Sequence, residues 1–338
     1  MNILAIESSC DETAVAIVRD GRYVLTDCIA SQVELHKLYG GVVPEIASRM
    51  HIEAISGLAE QALEQTGLRR SDIDAVAVTY APGLIGAVLV GVNFAKAAAM
   101  ALNKPLVPVH HIRGHIAANY IAYPALEPPF LCLVVSGGHT MIVDVLDYTQ
   151  MRILGTSLDD AAGECFDKVG RVLGMPYPAG AAVDKAAALG DENKYVLPRS
   201  KPGSNPYDMS FSGLKTAALN LIHHCGQVGE DLDINSLCAS FCNAVSDTLV
   251  PRVVAAIEET GRNKIAVAGG VAANSKIRKE ILAAADKLGA QVYLPPLNLC
   301  GDNAAMIGAQ GYFEYLAGNI ADMKLNAFAT KSILGETI

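Results

Sequence analysis

Apolar runs of strand length alternate along this chain with amphipathic stretches of helix length, and the alternation begins twice. The first run, Ile3 to Ile6, is followed by Thr13 to Val18 and Tyr23 to Ala30 with short polar turns between them, which predicts a three-stranded meander. Gly40-Gly41 and Pro44 mark the start of a helix whose apolar stripe is Ile55, Leu58, Ala59, Ala62 and Leu63, and Gly67 ends it. A strand at 75–79, a helix after Pro82-Gly83 and a short strand from Leu106 to Val109 follow. The uncharged stretch from Ala75 to Ala95 has the length of a bilayer span. Pro82-Gly83 divides it, so a buried strand followed by an Ala-rich buried helix is expected in place of a membrane segment.

The pattern restarts with Phe130 to Ser136, the turn Gly137-Gly138-His139, and Thr140 to Val145, a second hairpin near mid-chain. Helical signals run from Asp159 to Leu173 and from Ile234 to about Glu259. A strand, Lys264 to Ala268, leads through Gly269-Gly270 to a helix from about Ser275 to Leu288. Val292 to Leu294 reads as a last strand, and Gly301-Asp302-Asn303 opens a helix to about Leu316. Strands alternating with helices around two hairpins predict a duplicated α/β architecture, with two lobes and a cleft between them. From Asp191 to Lys215 the chain is aperiodic and carries Lys194, Arg199, Lys201 and Lys215; this is either a surface excursion or a basic loop for an anionic substrate.

Composition narrows the classes. The chain has 338 residues, 51% hydrophobic and 18% charged, which excludes disorder and calls for more than one small core. Its 26 basic and 35 acidic side chains give a net charge of −9, which excludes a broad basic surface for nucleic acid. Eight cysteines without a CxxC pair read as reduced, buried thiols. The N-terminus lacks a basic region and meets Glu7 at once, so no secretory signal is read there and a cytoplasmic location is expected.

Candidate chemistry concentrates in five places. In His110-His111-Ile112-Arg113-Gly114-His115, residues 111 and 115 share a helix face and can offer two imidazoles to Zn²⁺ or Fe²⁺, whereas His110 is rotated off. Ile112 stands where a zincin protease has its general-base Glu, so hydrolysis of that kind is disfavoured. Two glycine turns, Val135-Ser136-Gly137-Gly138-His139-Thr140 and Ala268-Gly269-Gly270-Val271, allow backbone amides close to a phosphate or an adenine. The acid- and hydroxyl-rich Glu7 to Thr13 is a third polar turn at the end of an apolar strand. Asp302 reads first as the N-cap of the last helix and second as a third metal ligand.

IESSCDET at 6–13, GGVVPEIASRMH at 40–51, PGLIGAVLVG at 82–91, HHIRGH at 110–115, VSGGHT at 135–140, DDAAGECFDKVGRVLG at 159–174, FSGLKT at 211–216, AGGVAAN at 268–274 and GDNAAMI at 301–307 closely resemble the TsaD family. These are the tRNA N6-adenosine threonylcarbamoyltransferases, once labelled glycoproteases, and the match runs in order along nearly the whole chain. The departures are Ser8 for the more usual Thr and Ala179 for a common Gly.

The resemblance implies the two-lobed fold of actin, Hsp70 and the sugar kinases, with ribonuclease H-like halves and a central nucleotide cleft. It divides the chain into a first lobe of residues 1–109 plus about 303–338 and a second of 110–302. It implies iron or zinc on His111, His115 and Asp302. It further implies ATP, ADP or threonylcarbamoyl-AMP on Val135, Ser136, Gly137, Gly138, His139, Asp167, Gly180, Asp184 and Asn274. The implied reaction moves a threonylcarbamoyl group from its adenylate to N6 of the adenosine 3′ of the anticodon in ANN-decoding tRNAs. His139 would then sit at the phosphate, and Asp11 or Glu12 would accept the amine proton. Implied partners are a TsaB-like paralogue contacting the helix near 43–65, a TsaE-like ATPase and a TsaC-like synthase. A tRNA substrate is compatible with the charge of −9 if its contacts are local, through Arg199, Lys201 and Lys215, or lie on partners. The competing class is an ATPase or scaffold of the same fold without transfer chemistry, which has no need of the metal residues.

Overall fold

The computed structural model describes residues 1–201 and 203–334, divided into two units. The first unit comprises Met1–Pro128, Leu146–Met151 and Pro295–Ile338, and the second Pro129–Val145 and Arg152–Leu294. The first begins with β1 (Asn2–Glu7), β2 (Glu12–Arg19), β3 (Tyr23–Ser31), α1 (Val33–Lys37) and α2 (Pro44–Thr66). It continues with β4 (Ala75–Ala81), α3 (Ile85–Leu102), β5 (Leu106–His110) and α4 (His111–Ala122). The second holds β6 (Phe130–Val135), β7 (Thr140–Val145), β8 (Met151–Thr156), α5 (Ala162–Val172), α6 (Gly180–Ala187), α7 (Ser212–Val228), α8 (Ile234–Thr260), β9 (Lys264–Ala268), α9 (Ser275–Leu288) and β10 (Gln291–Tyr293). The chain then returns to the first unit with α10 (Ala304–Leu316).

Each unit has a five-stranded sheet, and the two share one topology: β3-β2-β1-β4-β5 in the first, and β8-β7-β6-β9-β10 when the second is read in the same direction. In both, the leading strand pairs antiparallel with its hairpin partner and parallel with the strand that follows the helical segment. The duplication predicted from the repeated hairpins is therefore present strand for strand.

Alternation along β1 decides what packs where in the first unit. Leu4 and Ile6 point into a core shared with Ile55, Leu58 and Ala62 of α2 and Val88, Val92, Ala95 and Ala99 of α3. Ile3 and Ala5 point to the other face, where Ala304, Ala305, Met306 and Ile307 of α10 cover a floor of small residues, Ala14, Ala16, Ala75 and Ala77 among them. The small floor and two glycines let α10 lie close. A Cβ on Gly308 would stand 2.6 Å from a Val18 methyl, and one on Gly311 would stand 2.6 Å from Ala77 Cβ. α4 packs on α10, which keeps the chain in the first unit beyond residue 109, as far as Pro128, and brings Pro295–Asp302 into it as well.

The stripe Ile55, Leu58 and Leu63 packs into its own unit's core, while Ile52 on the same helix is 63% exposed. Two other expectations change. The helix expected from Asp159 begins at Ala162, because Asp159 is engaged by Phe211 N–H (2.8 Å) and Ser212 Oγ (2.5 Å) and Asp160 pairs with Lys215. α1, β8, α6 and α7 have no counterpart in the apolar pattern. α3 is the one helix among the described residues long and apolar enough to cross a membrane. Its Ala87, Val88, Gly91, Val92, Ala95 and Ala99 are buried in the fold, as expected for the βα unit. All eight cysteines are free, and all but Cys10 are buried.

Candidate metal centre

β5 runs straight into α4, and His110 at the junction serves as N-cap, its Nδ1 accepting from Ile112 N–H at 3.2 Å. The cap turns His110 away, leaving His111 and His115 one turn apart with ring centroids separated by 4.6 Å. Asp302 arrives from the turn before α10. Its Oδ1 lies 3.5 Å from His111 Nε2 and 3.2 Å from His115 Nε2. Asp302 is not the cap of α10: Asn303 takes that role, its Oδ1 accepting from Met306 N–H at 2.8 Å. The cap reading of Asp302 is thus overturned by its neighbour, and the carboxylate is left to face the imidazoles.

Among the described residues, His111, His115 and Asp302 form the one group of three such side chains whose ligand atoms all lie within 4.8 Å of one another. Two nitrogens from buried histidines and one oxygen from a half-buried carboxylate fit Zn²⁺ or Fe²⁺. Behind His111, its Nδ1 meets Glu7 Oε2 at 3.0 Å and Ser9 Oγ at 3.2 Å, an outer hydrogen bond of the kind metal-ligating histidines make. Charge points the same way. Burial pushes the His111 imidazolium toward neutrality, yet Asp302 and Glu7 raise its pKa well above the ordinary range. Burial likewise opposes the Asp302 carboxylate, and the two histidines override it and hold its pKa far below the usual value. Glu7, buried and pushed upward by desolvation, is brought net downward by His111. The site is built for positive charge between carboxylates.

The Ser8–Glu12 turn lies beside this centre. Ser9 N–H donates to Glu7 Oε1 at 2.6 Å, Asp11 is buried, and Glu12 is half-buried with Ser31 Oγ donating to its Oε1 at 3.1 Å. Burial, then the charges of Asp11 and Asp302, push Glu12 up to about 9. Glu7, Ser9 and Thr79, whose hydroxyl donates to Glu7 Oε2 at 2.6 Å, escape a motif search for ligands. The available signal was a charged residue ending an otherwise apolar strand.

The second unit assembles the other candidates. Ser136 N–H donates to the His139 carbonyl at 2.8 Å and closes the 136–139 turn, with Gly137 and Gly138 exposed at its tip and nothing within 4 Å of where their Cβ atoms would be. Gly269 backs it: at φ +94° its Cβ position is 2.5 Å from the Val135 carbonyl oxygen, so no other residue fits. α5 starts against the same turn, where Ala162 N–H donates to Thr140 Oγ1 at 2.9 Å. Asp167 on α5 accepts from Ala179 N–H at 2.7 Å and so holds the start of α6 at Gly180. Asp184 on α6 accepts from Ser275 Oγ at 2.8 Å, and Asn274 caps α9 by accepting from Ile277 N–H at 3.1 Å. Val135–His139, Asp167, Gly180, Asp184 and Asn274 thus belong to one interlocked set of turns and helix starts.

The aperiodic loop is not a bare basic surface. Lys194 pairs with Asp233 at 2.9 Å, Arg199 with Asp247 at 2.8 Å, and Lys215 with Asp160, which leaves Lys201 exposed.

The sequence model of the family described as TsaD, tRNA N6-adenosine threonylcarbamoyltransferase, matches residues 23–309. The chain belongs to the TsaD family. It is 53% identical over 326 residues to the tRNA N6-adenosine threonylcarbamoyltransferase of Moorella thermoacetica, covering 96% of this chain and 95% of that one. To the protein of the same name from Clostridium botulinum (strain 657 / Type Ba4) it is 50% identical, over 97% and 96% of the two chains. Among solved structures, its fold is similar to HypF from T. kodakarensis (TM-score 0.62, 13% identity, 96% of this chain and 49% of that one). It is also similar to component A of (R)-2-hydroxyglutaryl-CoA dehydratase from Acidaminococcus fermentans (TM-score 0.53, 14% identity, 94% and 99%). The fold is that of the actin, Hsp70 and sugar-kinase class.

Proposed function

We propose that this TsaD-family protein transfers the threonylcarbamoyl group of threonylcarbamoyl-AMP to N6 of the adenosine 3′ of the anticodon in ANN-decoding tRNAs. The observation that carries the reading is the His111, His115 and Asp302 donor set, backed by Glu7, in a chain that matches enzymes of that name along nearly its whole length. A nucleotide-driven scaffold has no use for such a set.

His111, His115 and Asp302 would hold one Fe²⁺ or Zn²⁺, which when bound supplies Lewis-acid charge to phosphate or carbamoyl oxygens. The open amides of Gly137 and Gly138, with His139, receive the phosphate of the adenylate, and Val135 and Ser136 shape that turn. Asp167 and Asp184 take donor hydroxyls, with Gly180 and Asn274 at the helix starts they organise. The amine is a weak nucleophile, so a nearby carboxylate is needed to take its proton. Asp11 and Glu12, side by side in the turn next to the metal residues, are the two candidates. The partners are a TsaB-like paralogue, a TsaE-like ATPase and a TsaC-like synthase that makes the adenylate, all in the cytoplasm.

Incubating the protein with unmodified tRNA, ATP, threonine, bicarbonate and these partners, then analysing nucleosides by mass spectrometry, tests the reading. Threonylcarbamoyladenosine formed with this chain, and lost without it, is the expected result. ATP hydrolysis with no modified nucleoside would leave the scaffold reading in its place.

A further inference from the structure

We propose that Glu7 is a positioning residue of the metal centre: through His111 Nδ1 it selects the imidazole tautomer whose Nε2 is free to ligate. The inference rests on reading His111, His115 and Asp302 as metal ligands, and it concerns a residue that touches none of the reacting groups.

Several donors converge on one buried carboxylate. Glu7 is 0% exposed. Its Oε1 accepts from Ser9 N–H at 2.6 Å, and its Oε2 accepts from Thr79 Oγ1 at 2.6 Å and faces His111 Nδ1 at 3.0 Å. A carboxylate only accepts, so with a cation on Nε2 the single ring proton of His111 stays on Nδ1, shared with Ser9 Oγ at 3.2 Å. The remaining ring nitrogen, Nε2, is the one that faces Asp302 Oδ1, 3.5 Å away, on the side where His115 Nε2 also points. The carboxylate that orients His111 also holds Ser9 N–H, so the metal ligand and the start of the Ser8–Glu12 turn share one anchor.

Glu7→Gln separates this role from simple filling of space. The Ser9 amide can only donate, so the Gln oxygen must take that position and its NH₂ must face His111 Nδ1 and Thr79. An NH₂ donor selects a lone pair on Nδ1, which moves the imidazole proton to Nε2 and blocks the ligating atom.

The test uses the full chain loaded with Zn²⁺ alone. Two-bond ¹H–¹⁵N spectra of protein labelled at histidine nitrogens, with His111 signals assigned by their loss in His111→Asn, are expected to show a protonated Nδ1 and a metal-bound Nε2. Competition with a chromophoric chelator is expected to show folded Glu7→Gln binding Zn²⁺ roughly 10–100-fold more weakly, the usual cost of losing such a partner. Ligation through Nδ1, or a folded Glu7→Gln protein that binds Zn²⁺ within about threefold of wild type, overturns the proposal. If Glu7→Gln does not fold, the wild-type spectrum alone decides. A wild type that binds no Zn²⁺ removes the metal reading and this inference together, an outcome distinct from equal affinities. Neither measurement depends on transfer activity.

Discussion

Asp302 shows how one position can change meaning with its neighbour. Three residues in sequence, Gly301-Asp302-Asn303, contain two capping residues for one helix, and the structure gives the cap to Asn303, which also donates from Nδ2 to the Gly301 carbonyl at 2.9 Å. The turn is thereby fixed from both sides, and Asp302 is free to meet His111 and His115. Asp302→Asn keeps the volume and removes the charge. Its Zn²⁺ affinity, measured by chelator competition, should fall by more than the roughly 10–100-fold that an outer partner costs, and transfer should fall with it. Unchanged metal content would remove Asp302 from the ligand set. Asp27 offers a separate test of burial. Desolvation raises it from 3.8 to about 6, with the amides of Ala304 and Ala305 opposing part of the shift. The folded state then binds more protons than the unfolded chain between about pH 4 and 6, so this contribution is present at low pH and lost as pH rises through 6. In urea unfolding, the stability of wild type relative to Asp27→Asn should decline from pH 4 to pH 7; a flat difference would show that Asp27 titrates normally.

At the scale of elements, the centre depends on how α4 is held against α10, since one carries the histidines and the other follows Asp302. Arg113 on α4 pairs with Glu314 on α10 at 2.8 Å, both buried, and Gln310 and Asn319 donate to the same carboxylate at 2.8 and 2.5 Å. Arg113 Nε also donates to the Ile333 carbonyl at 2.9 Å and ties down the C-terminal segment. Arg113→Met should cost about 3–5 kcal/mol in denaturant unfolding, because it leaves Glu314 charged and buried, and adding Glu314→Leu should recover a large part of that loss. A double variant no more stable than the single one would mean that packing, and not the charge pair, joins the helices. This joint was invisible beforehand, because a charge pair between residues 113 and 314 has no local period. What was legible had one: every strand but β8, and α2, α3, α5, α8, α9 and α10, follow from alternation, helical stripes and Gly or Pro ends. α6 and α7 did not, since α6 buries only Val183 and α7 only Leu214, Ala218 and Cys225. The HxxxH pair was readable for the same reason as the helices, whereas Glu7 was not, its partners being supplied by β4 and α4.

For the whole molecule, duplication was legible because both sheets are built from the same hairpin-then-parallel order, and a hairpin is a local signal. Charge is the property that only the structure completes. A net −9 says nothing of where 26 cations lie, and most of those on the aperiodic loop turn out to be neutralised: Lys194, Arg199 and Lys215 each hold a carboxylate of their own unit. Cations already paired release few counterions when a phosphate approaches, since forming the new contact breaks the old one. Binding of unmodified tRNA by this chain alone should therefore be weak. Its affinity by fluorescence anisotropy should fall by only about tenfold between 50 and 200 mM salt, the slope of roughly two phosphate contacts. Lys201→Ala should reduce that slope, since Lys201 is exposed, whereas Arg199→Ala should mainly loosen the loop around Asp247. A loss of about 10³-fold or more over the same range would require at least six free cations on one face, and would mean that the carboxylates now holding Lys194, Arg199 and Lys215 give them up to the nucleic acid.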